Sequence, residues 1–92
     1  MLARPEYGTR LHILAWVAQQ PQRAKFDWDD CTACAVARYA DAHGQPNPFN
    51  ASVRHFPPIL LELNDIAGGL TIYSSDTVTW GRLRRALEKQ WL

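Results

Sequence analysis

The residues best suited to chemistry in this sequence are two cysteines, Cys31 and Cys34, which follow a run of three aspartates. A thiol in the first turn of a helix is favoured as the thiolate by the helix dipole, and the thiolate is a strong nucleophile. Such a nucleophile needs a base and a group that orients the base. The candidates are His43 and His55 for the base, and Asn64 and Asp65 for the orienting group. The neighbouring carboxylates disfavour a thiolate, so two small cysteines packed on a helix are the simpler interpretation.

The same Cys-x-x-Cys pair could supply half of a structural zinc site, which takes four ligands. The ligands available for this alternative are Cys31, Cys34, His43 and His55, with His12 as a further histidine. No second closely spaced pair accompanies the cysteines, and a Cys-x-x-Cys inside a helix lacks the tight turn of a zinc knuckle. The sequence therefore predicts neither a bound metal nor another cofactor.

A basic segment near the end of the chain is the strongest candidate for binding. It consists of Arg82, Arg84, Arg85 and Lys89, with Trp91 beside them. Phosphates are one possible target, but no base-reading motif accompanies the segment, so nucleic-acid binding is the weaker alternative. Arginines and aromatic side chains dominate the hot spots of protein interfaces, and the chain has more tryptophan and tyrosine than a small core readily hides. The sequence thus predicts binding of another protein and leaves the partner and the oligomeric state open.

Length and composition set limits on the elements that position these groups. The chain has 92 residues, 47% of them apolar, and a net charge of +1. This predicts a single domain over residues 1–92 with one core, and no strongly charged partner for the molecule as a whole. The sequence has neither a secretory signal nor a run of about 18 apolar residues. We therefore expect a cytoplasmic protein without a membrane segment.

Capping residues and apolar periodicity predict a mostly α fold of about four helices. The predicted helices cover residues 10–20 (capped by Thr9 and closed by Pro21), 31–43 (stopped by Gly44), 59–67 (opened by Pro58) and 79–90. The buried stripe of the first helix is expected to be Leu11, Leu14, Ala15 and Ala18, widened by Ile13, Trp16 and Val17. That of the last helix is expected to be Trp80, Leu83, Leu87 and Trp91. Phe26 and Trp28 are expected to pin the intervening loop to the core.

The middle of the chain is ambiguous. Asn50 could cap a short turn over residues 51–55, and residues 70–74 could be extended. Residues 59–63 favour helix, but a β-hairpin that pairs them with residues 70–73 is the alternative, because short apolar runs do not separate helix from strand by periodicity.

Several short blocks resemble a loose set of small, uncharacterised bacterial and phage proteins. They are an F-D-W-x-D-C-x-x-C-A segment that ends in Val36-Ala37, then Pro57-Pro58, and a final Thr79-Trp80-Gly81-Arg82-Leu83. The resemblance implies a helical protein of prokaryotic or phage origin and transfers no catalytic residue. Asp30-Cys31, followed by Arg38-Tyr39 and Gly44, is also similar to the cysteine helix of papain-like peptidases, but the chain is short and no sheet follows to carry the histidine.

Together these observations predict a non-enzymatic protein that acts by binding another protein. An inhibitor of host defence encoded by a phage, such as an anti-CRISPR protein, is one concrete form of this prediction. A cysteine hydrolase built on Cys31 and a nucleic-acid binder built on the basic helix are the alternatives.

Overall fold

The computed structural model describes residues 6–28, 30, 32–49, 57–70 and 77–92. Within these ranges the chain is mostly α, as predicted, with one small antiparallel ribbon. The elements in chain order are α1 (Arg10–Gln19), β1 (Lys25–Asp27), α2 (Ala35–Ala42), α3 (Pro58–Gly69), β2 (Thr77–Thr79) and α4 (Trp80–Trp91). The helices enclose one apolar core to which every element contributes.

Helix α1 begins and ends as its sequence predicts, but it buries a different face. The Thr9 hydroxyl accepts a hydrogen bond from the His12 N–H, and the helix ends before Pro21. Its buried residues are Ile13 and Val17, whereas Leu11 is 61% exposed. The predicted stripe of Leu11, Leu14, Ala15 and Ala18 is therefore wrong: Leu11 and Ala15 are exposed, and Leu14 and Ala18 are half-buried. Apolar residues surround this helix, so its periodicity cannot single out one face.

Helix α2 starts at Ala35, four residues later than predicted, because Asp30 organises a turn ahead of it. The Asp30 carboxylate accepts from both the backbone N–H and the hydroxyl of Thr32, and its carbonyl accepts from Ala33 and Cys34. These bonds hold the pKa of the Asp30 carboxyl below its usual value. Gly44 ends the helix with a φ of 65°, as predicted, in the left-handed region that suits glycine.

Helix α3 contains residues 59–63, so the predicted helix is confirmed and the alternative of a strand at these residues is wrong. Pro58 occupies its first turn, where a missing N–H costs no hydrogen bond. Leu60, Leu63 and Ala67 form its buried side. Leu70 caps the helix; the suggested turn at 51–55 and the extended segment beyond Leu70 lie outside the described residues.

The ribbon between β1 and β2 is the element that the sequence did not predict. Phe26 lies opposite Val78, and both side chains are buried. Two further backbone bonds extend the pairing, from Trp80 N–H to the Ala24 carbonyl and from Gly81 N–H to the Gln22 carbonyl. Phe26 packs against Trp80 with ring centroids 4.4 Å apart. The ribbon thus fixes the segment after α1 to the start of α4.

Helix α4 follows the predicted pattern. The Thr79 hydroxyl accepts a hydrogen bond from the Arg82 N–H, and Trp80, Leu83 and Leu87 are buried against α1 and α3. Trp91 is half-buried and packs on the same core. Because this seam occupies one side of the helix, its charged residues remain on the other.

The predicted aromatic-rich surface is not found among the described residues. Trp80 is 4% exposed, and the other three tryptophans are half-buried against the core. The indole N–H of Trp28 donates to the Asn64 carbonyl at 2.9 Å. Tyr73 lies outside the described residues. The four tryptophans therefore all contribute to the packing of the core.

Candidate functional site

Three cations of α4 form an exposed row, which we call the cationic edge: Arg82, Arg85 and Lys89. Their spacing of three and four residues places them on one face, over about 10 Å of helix axis. One guanidinium nitrogen of Arg82 donates to the Leu70 carbonyl at 3.1 Å, so this side chain is tied to the end of α3. Arg85 and Lys89 make no hydrogen bond or ion pair to another described residue. The cationic edge therefore presents two charges whose side chains bond to no other described residue and one that is tied to the end of α3.

The other two predicted binding residues are bound to carboxylates of this chain. Arg84 pairs with Glu88 one turn along α4, with Nε 3.7 Å from Oε1, and shares with Arg85 a cavity beside Gln22 and Arg23. Trp91 donates its indole N–H to Glu62 at 2.7 Å. Within the predicted binding set of Arg82, Arg84, Arg85, Lys89 and Trp91, the cationic edge holds the three residues whose side chains make no bond to a carboxylate of a described residue.

Glu62 connects three helices and explains the position of Trp91. One of its carboxylate oxygens accepts from Trp91, and the other lies 3.5 Å from the guanidinium of Arg10. Arg10 also lies 6.0 Å from the centre of the Trp91 ring, within the range of a cation–π contact. Trp91 is thus a structural residue that joins α4 to α1 and α3.

A groove runs between α3 and α4 beside the cationic edge; we call it the α3–α4 groove. It consists of two adjoining cavities of about 410 and 300 Å³ that share Leu70 and Ala86. Ile66 adds to this apolar floor, and Glu62 and Asp65 line the α3 side. The α4 side is lined by Arg82, Arg85 and Lys89. The groove therefore has an apolar floor between one acidic wall and one basic wall.

A second constellation of polar groups joins the start of the described chain to α2. We call it the histidine–tyrosine cluster: Tyr7, His12, Tyr39 and His43. The Tyr39 hydroxyl accepts from the Gly8 N–H at 2.8 Å and lies 2.6 Å from His12 Nδ1. Tyr7 stacks on the Tyr39 ring at 4.8 Å with the planes 5° apart. Gly8 has a φ of 83°, a conformation that favours glycine and turns its N–H toward Tyr39.

The two histidines of this cluster lie side by side. Their ring centroids are 4.7 Å apart, and His43 Nδ1–H donates to the Tyr39 carbonyl at 2.7 Å. Burial, and secondarily the neighbouring His43, lowers the pKa of His12 below its ordinary 6.5. Burial also raises the pKa of the Tyr39 phenol. Both groups are therefore neutral at pH 7, and the Tyr39 hydroxyl donates to the lone pair of His12 Nδ1.

This arrangement suits structure better than catalysis. Tyr39 is fully buried, and its hydroxyl already accepts a hydrogen bond from Gly8 and donates one to His12. A general acid or base must reach a substrate, and this hydroxyl does not. Sequence reasoning missed the cluster because Tyr7 precedes the first helix. The available signal was the spacing of four between Tyr39 and His43, which places both rings on one face of α2.

Only some residues of the alternative cysteine-hydrolase site and of the alternative zinc site lie within the described ranges. Cys31 and His55 lie outside the described residues, and Asp65 is exposed on α3. Cys34 is 1% exposed at the start of α2, while His43 follows the other end of that helix. About 13 Å of helix axis separates the two, which is beyond the reach of two side chains that share one zinc ion. In the ranges that the structure covers, no three His, Cys, Asp or Glu side chains come together as a metal site requires.

Comparison of the chain with protein-family models, with curated proteins and with solved structures gave no match. Among the described helices, none is long and apolar enough to cross a lipid bilayer.

Proposed function

We propose that this protein acts without catalysis, in the cytoplasm, by binding another protein through the cationic edge of α4. The observation that carries the proposal is the position of Arg85 and Lys89. Both are exposed beside an apolar groove, and neither is neutralised by another described residue. The opposite side of α4 is buried by Trp80, Leu83 and Leu87, so the helix that presents these charges is held rigidly.

Electrostatics supports a single oriented partner. The chain carries a net charge of +1, so its overall field is weak. Three cations on one face of one helix still give a local positive region, and such regions raise association rates and fix orientation more than they raise affinity. Arginine also forms paired hydrogen bonds with carboxylates and is enriched in interface hot spots. The expected partner surface is therefore acidic.

The neighbourhood of the cationic edge favours a protein over a nucleic acid. Affinity for nucleic acids depends on neutralising many phosphates along an extended backbone. This edge spans only about 10 Å, the length of two helical turns. The groove beside the edge has an apolar floor of Ile66, Leu70 and Ala86, which suits the side chains of a protein better than a phosphate backbone.

The biological setting we propose is a prokaryotic cell or its phage, with inhibition of a host defence system, such as an anti-CRISPR activity, as the concrete form. Small size and the sequence blocks described above support this setting. The genes adjacent to the coding sequence test it: genes of phage structure or of defence systems nearby would support the proposal, and a conserved metabolic operon would contradict it.

The central experiment compares two charge-reversal variants with equal change in net charge. The test variant is Arg85→Glu with Lys89→Glu, and the control is Arg23→Glu with Lys25→Glu, two exposed residues outside α4. Arg82 is left intact because it holds Leu70. Purified, tagged protein is used to capture partners from a prokaryotic host lysate, with and without nuclease, and bound proteins are quantified by mass spectrometry.

We expect a partner that the wild type and the control capture equally and that the test variant captures at least tenfold less. Equal capture by all three would show that this edge is not the site. Loss of capture after nuclease treatment would show that the ligand is a nucleic acid. A parallel Cys31→Ser variant should keep full binding, whereas loss of the protein's effect in that variant would support the alternative of a cysteine hydrolase.

A further inference from the structure

The α3–α4 groove has a chemistry that defines its occupant more narrowly than the cationic edge alone. Resting on the proposed function, we infer that this groove receives an amphipathic helix of the partner protein, with apolar side chains on the floor and acidic side chains facing α4. Binding of an amphipathic helix in an apolar groove between two helices is a recurring mode of recognition.

The floor of the groove provides the apolar contact. Ile66, Leu70 and Ala86 lie between the two walls, and Ile66 and Leu70 are held from beneath by the core. The two cavities of about 410 and 300 Å³ adjoin at Leu70 and Ala86 and form an elongated depression. Elongation suits a helix that inserts successive apolar residues from one face, at the spacing i, i+3 or i+4, and i+7.

The walls determine the charge of the occupant. On the α4 side stand three cations, spaced by three and then four residues. A helix that lies along α4 repeats its own side chains at the same interval, so acidic residues on one edge of it can meet each cation in turn. On the α3 side, Glu62 is already bound by Arg10 and Trp91, which leaves Asp65 as the exposed acid. The groove therefore has an excess of positive charge that an acidic helix neutralises.

The same count of charges argues against a second copy of this chain as the occupant. Even a two-fold contact that set the basic wall of each copy against the acidic wall of the other would place three cations opposite Asp65, the exposed acid of the described groove, and leave an excess of positive charge. Like charges placed opposite one another across an interface oppose association. A partner helix with an acidic edge avoids this repulsion.

Synthetic peptides test the inference without knowledge of the natural partner. The probe is a stapled helix of about four turns, with leucines at i, i+3 and i+7 and glutamates along one edge. One control peptide has glutamine in place of every glutamate, and a second has alanine in place of every leucine. Each is titrated into the ¹⁵N-labelled full-length protein, and the amide shifts in the NMR spectrum give both the affinity and the site.

We expect the acidic, leucine-bearing probe to shift the amides of Ile66, Leu70, Ala86 and the cationic edge. Each control peptide should bind at least tenfold more weakly. Binding of all three peptides with equal affinity, or shifts located elsewhere on the protein, would overturn the inference.

Substitution of the groove floor separates this inference from the proposed function. Ala86→Glu places a negative charge on the floor, and Ala86→Gln adds similar bulk without charge. Ala15→Glu introduces the same residue at an exposed position of α1 and serves as the control. We expect at least tenfold weaker probe binding for Ala86→Glu, a smaller loss for Ala86→Gln, and none for Ala15→Glu, with a folded protein verified by its NMR spectrum.

The combined outcomes are distinguishable. If the Arg85→Glu, Lys89→Glu variant loses its lysate partner while both Ala86 variants retain probe and partner, the groove inference fails and the proposed function stands. If none of these variants loses binding, both fail. If sedimentation shows a dimer of the wild type that Ala86→Glu dissociates, the occupant is a second copy and the inference of an acidic partner helix is overturned.

Discussion

The histidine–tyrosine cluster and the cationic edge differ in the burial and the hydrogen bonding of their polar groups. In the cluster, the hydroxyl of Tyr39 is fully buried, bonded to Gly8 and His12, and held neutral. On the cationic edge, Arg85 and Lys89 are charged, exposed and without a bonded partner among the described residues. A polar group whose bonds are complete within the fold stabilises that fold, whereas one that faces solvent is available to another molecule. The difference favours a structural role for the first region and supports the proposed binding role of the second.

The largest effect should come from removing the centre of the cluster. Tyr39→Ala deletes a fully buried ring that contacts Tyr7, His12, Trp16 and His43. We expect a loss of about 3–5 kcal/mol in the free energy of unfolding, measured by urea denaturation. Tyr39→Phe keeps the ring but leaves the Gly8 N–H without its acceptor, so it should cost about 1–3 kcal/mol. A loss below about 0.5 kcal/mol for Tyr39→Ala would mean that the cluster does not support the fold.

Two adjacent glycines of α3, Gly68 and Gly69, differ in the same way in how closely other atoms surround them. A Cβ at Gly68 would lie 2.6 Å from the Trp28 ring, whereas no atom of the described residues comes within 4 Å of a Cβ at Gly69. Gly68→Ala should therefore cost about 1–3 kcal/mol through overpacking. Gly69→Ala should stabilise the protein by about 0.4–1 kcal/mol, because it reduces the freedom of the unfolded chain. Thermal unfolding of the two variants side by side tests the packing of Trp28 on α3.

Acidification should weaken the histidine–tyrosine cluster through His12. The pKa of His12 is lower in the folded protein than its ordinary 6.5, so the unfolded chain takes up the proton first. Stability is therefore complete above about pH 7 and falls as the pH drops through 6.5 toward the folded pKa. Protonated His12 would donate to the Tyr39 hydroxyl, whose own proton would then lose its acceptor. His43 and Tyr7 are the other rings that contact His12 at this site.

The measurement is the melting temperature between pH 5 and pH 8 for the wild type and for His12→Asn. The variant should show a weaker dependence on pH over the window around 6.5 and below. The lowered pKa of Asp30 acts only at more acidic pH, because its ordinary value is 3.8. Identical pH profiles for wild type and variant would show that His12 is not the group that responds.

The smallest effect on stability should come from the cationic edge itself. Arg85→Gln with Lys89→Gln removes two exposed charges that contact no other described group, so the free energy of unfolding should change by less than about 0.5 kcal/mol. Arg82→Gln should cost slightly more, because it removes the bond to the Leu70 carbonyl. Urea denaturation of both variants tests this order. A large loss of unfolding free energy in the double variant would show that Arg85 and Lys89 stabilise the fold, as the histidine–tyrosine cluster does.

The parts of the fold that local sequence determines were predicted correctly. Thr9, Pro58 and Gly44 each define a helix end through a bond or a backbone conformation within a few residues. The start of α2 was missed because three aspartates precede it, and only the structure shows that Asp30 uses its carboxylate in a turn before the helix. The buried face of α1 was missed because its apolar residues have no single direction.

The candidate site was predicted in part for the same reason. A spacing of three and four residues placed Arg82, Arg85 and Lys89 on one face without knowledge of the fold. The roles of Arg84 and Trp91 depend on Glu88 and Glu62, and the second of these belongs to another helix. Likewise, the groove needs α3 and α4 to lie side by side, and the contact of Tyr7 with Tyr39 joins distant parts of the chain. Such tertiary pairings leave no periodic trace in the sequence.

The ribbon of β1 and β2 has a consequence for the time course of folding. Its two strands of three residues lie about fifty residues apart in the chain, so their pairing must close a long loop for a small gain in contacts. The strands should therefore pair after α1 and α4 have docked. Their pairing then forms between the transition state and the native state. The substitution Val78→Ala shortens a side chain that is buried opposite Phe26. It should then accelerate unfolding and leave the refolding rate nearly unchanged.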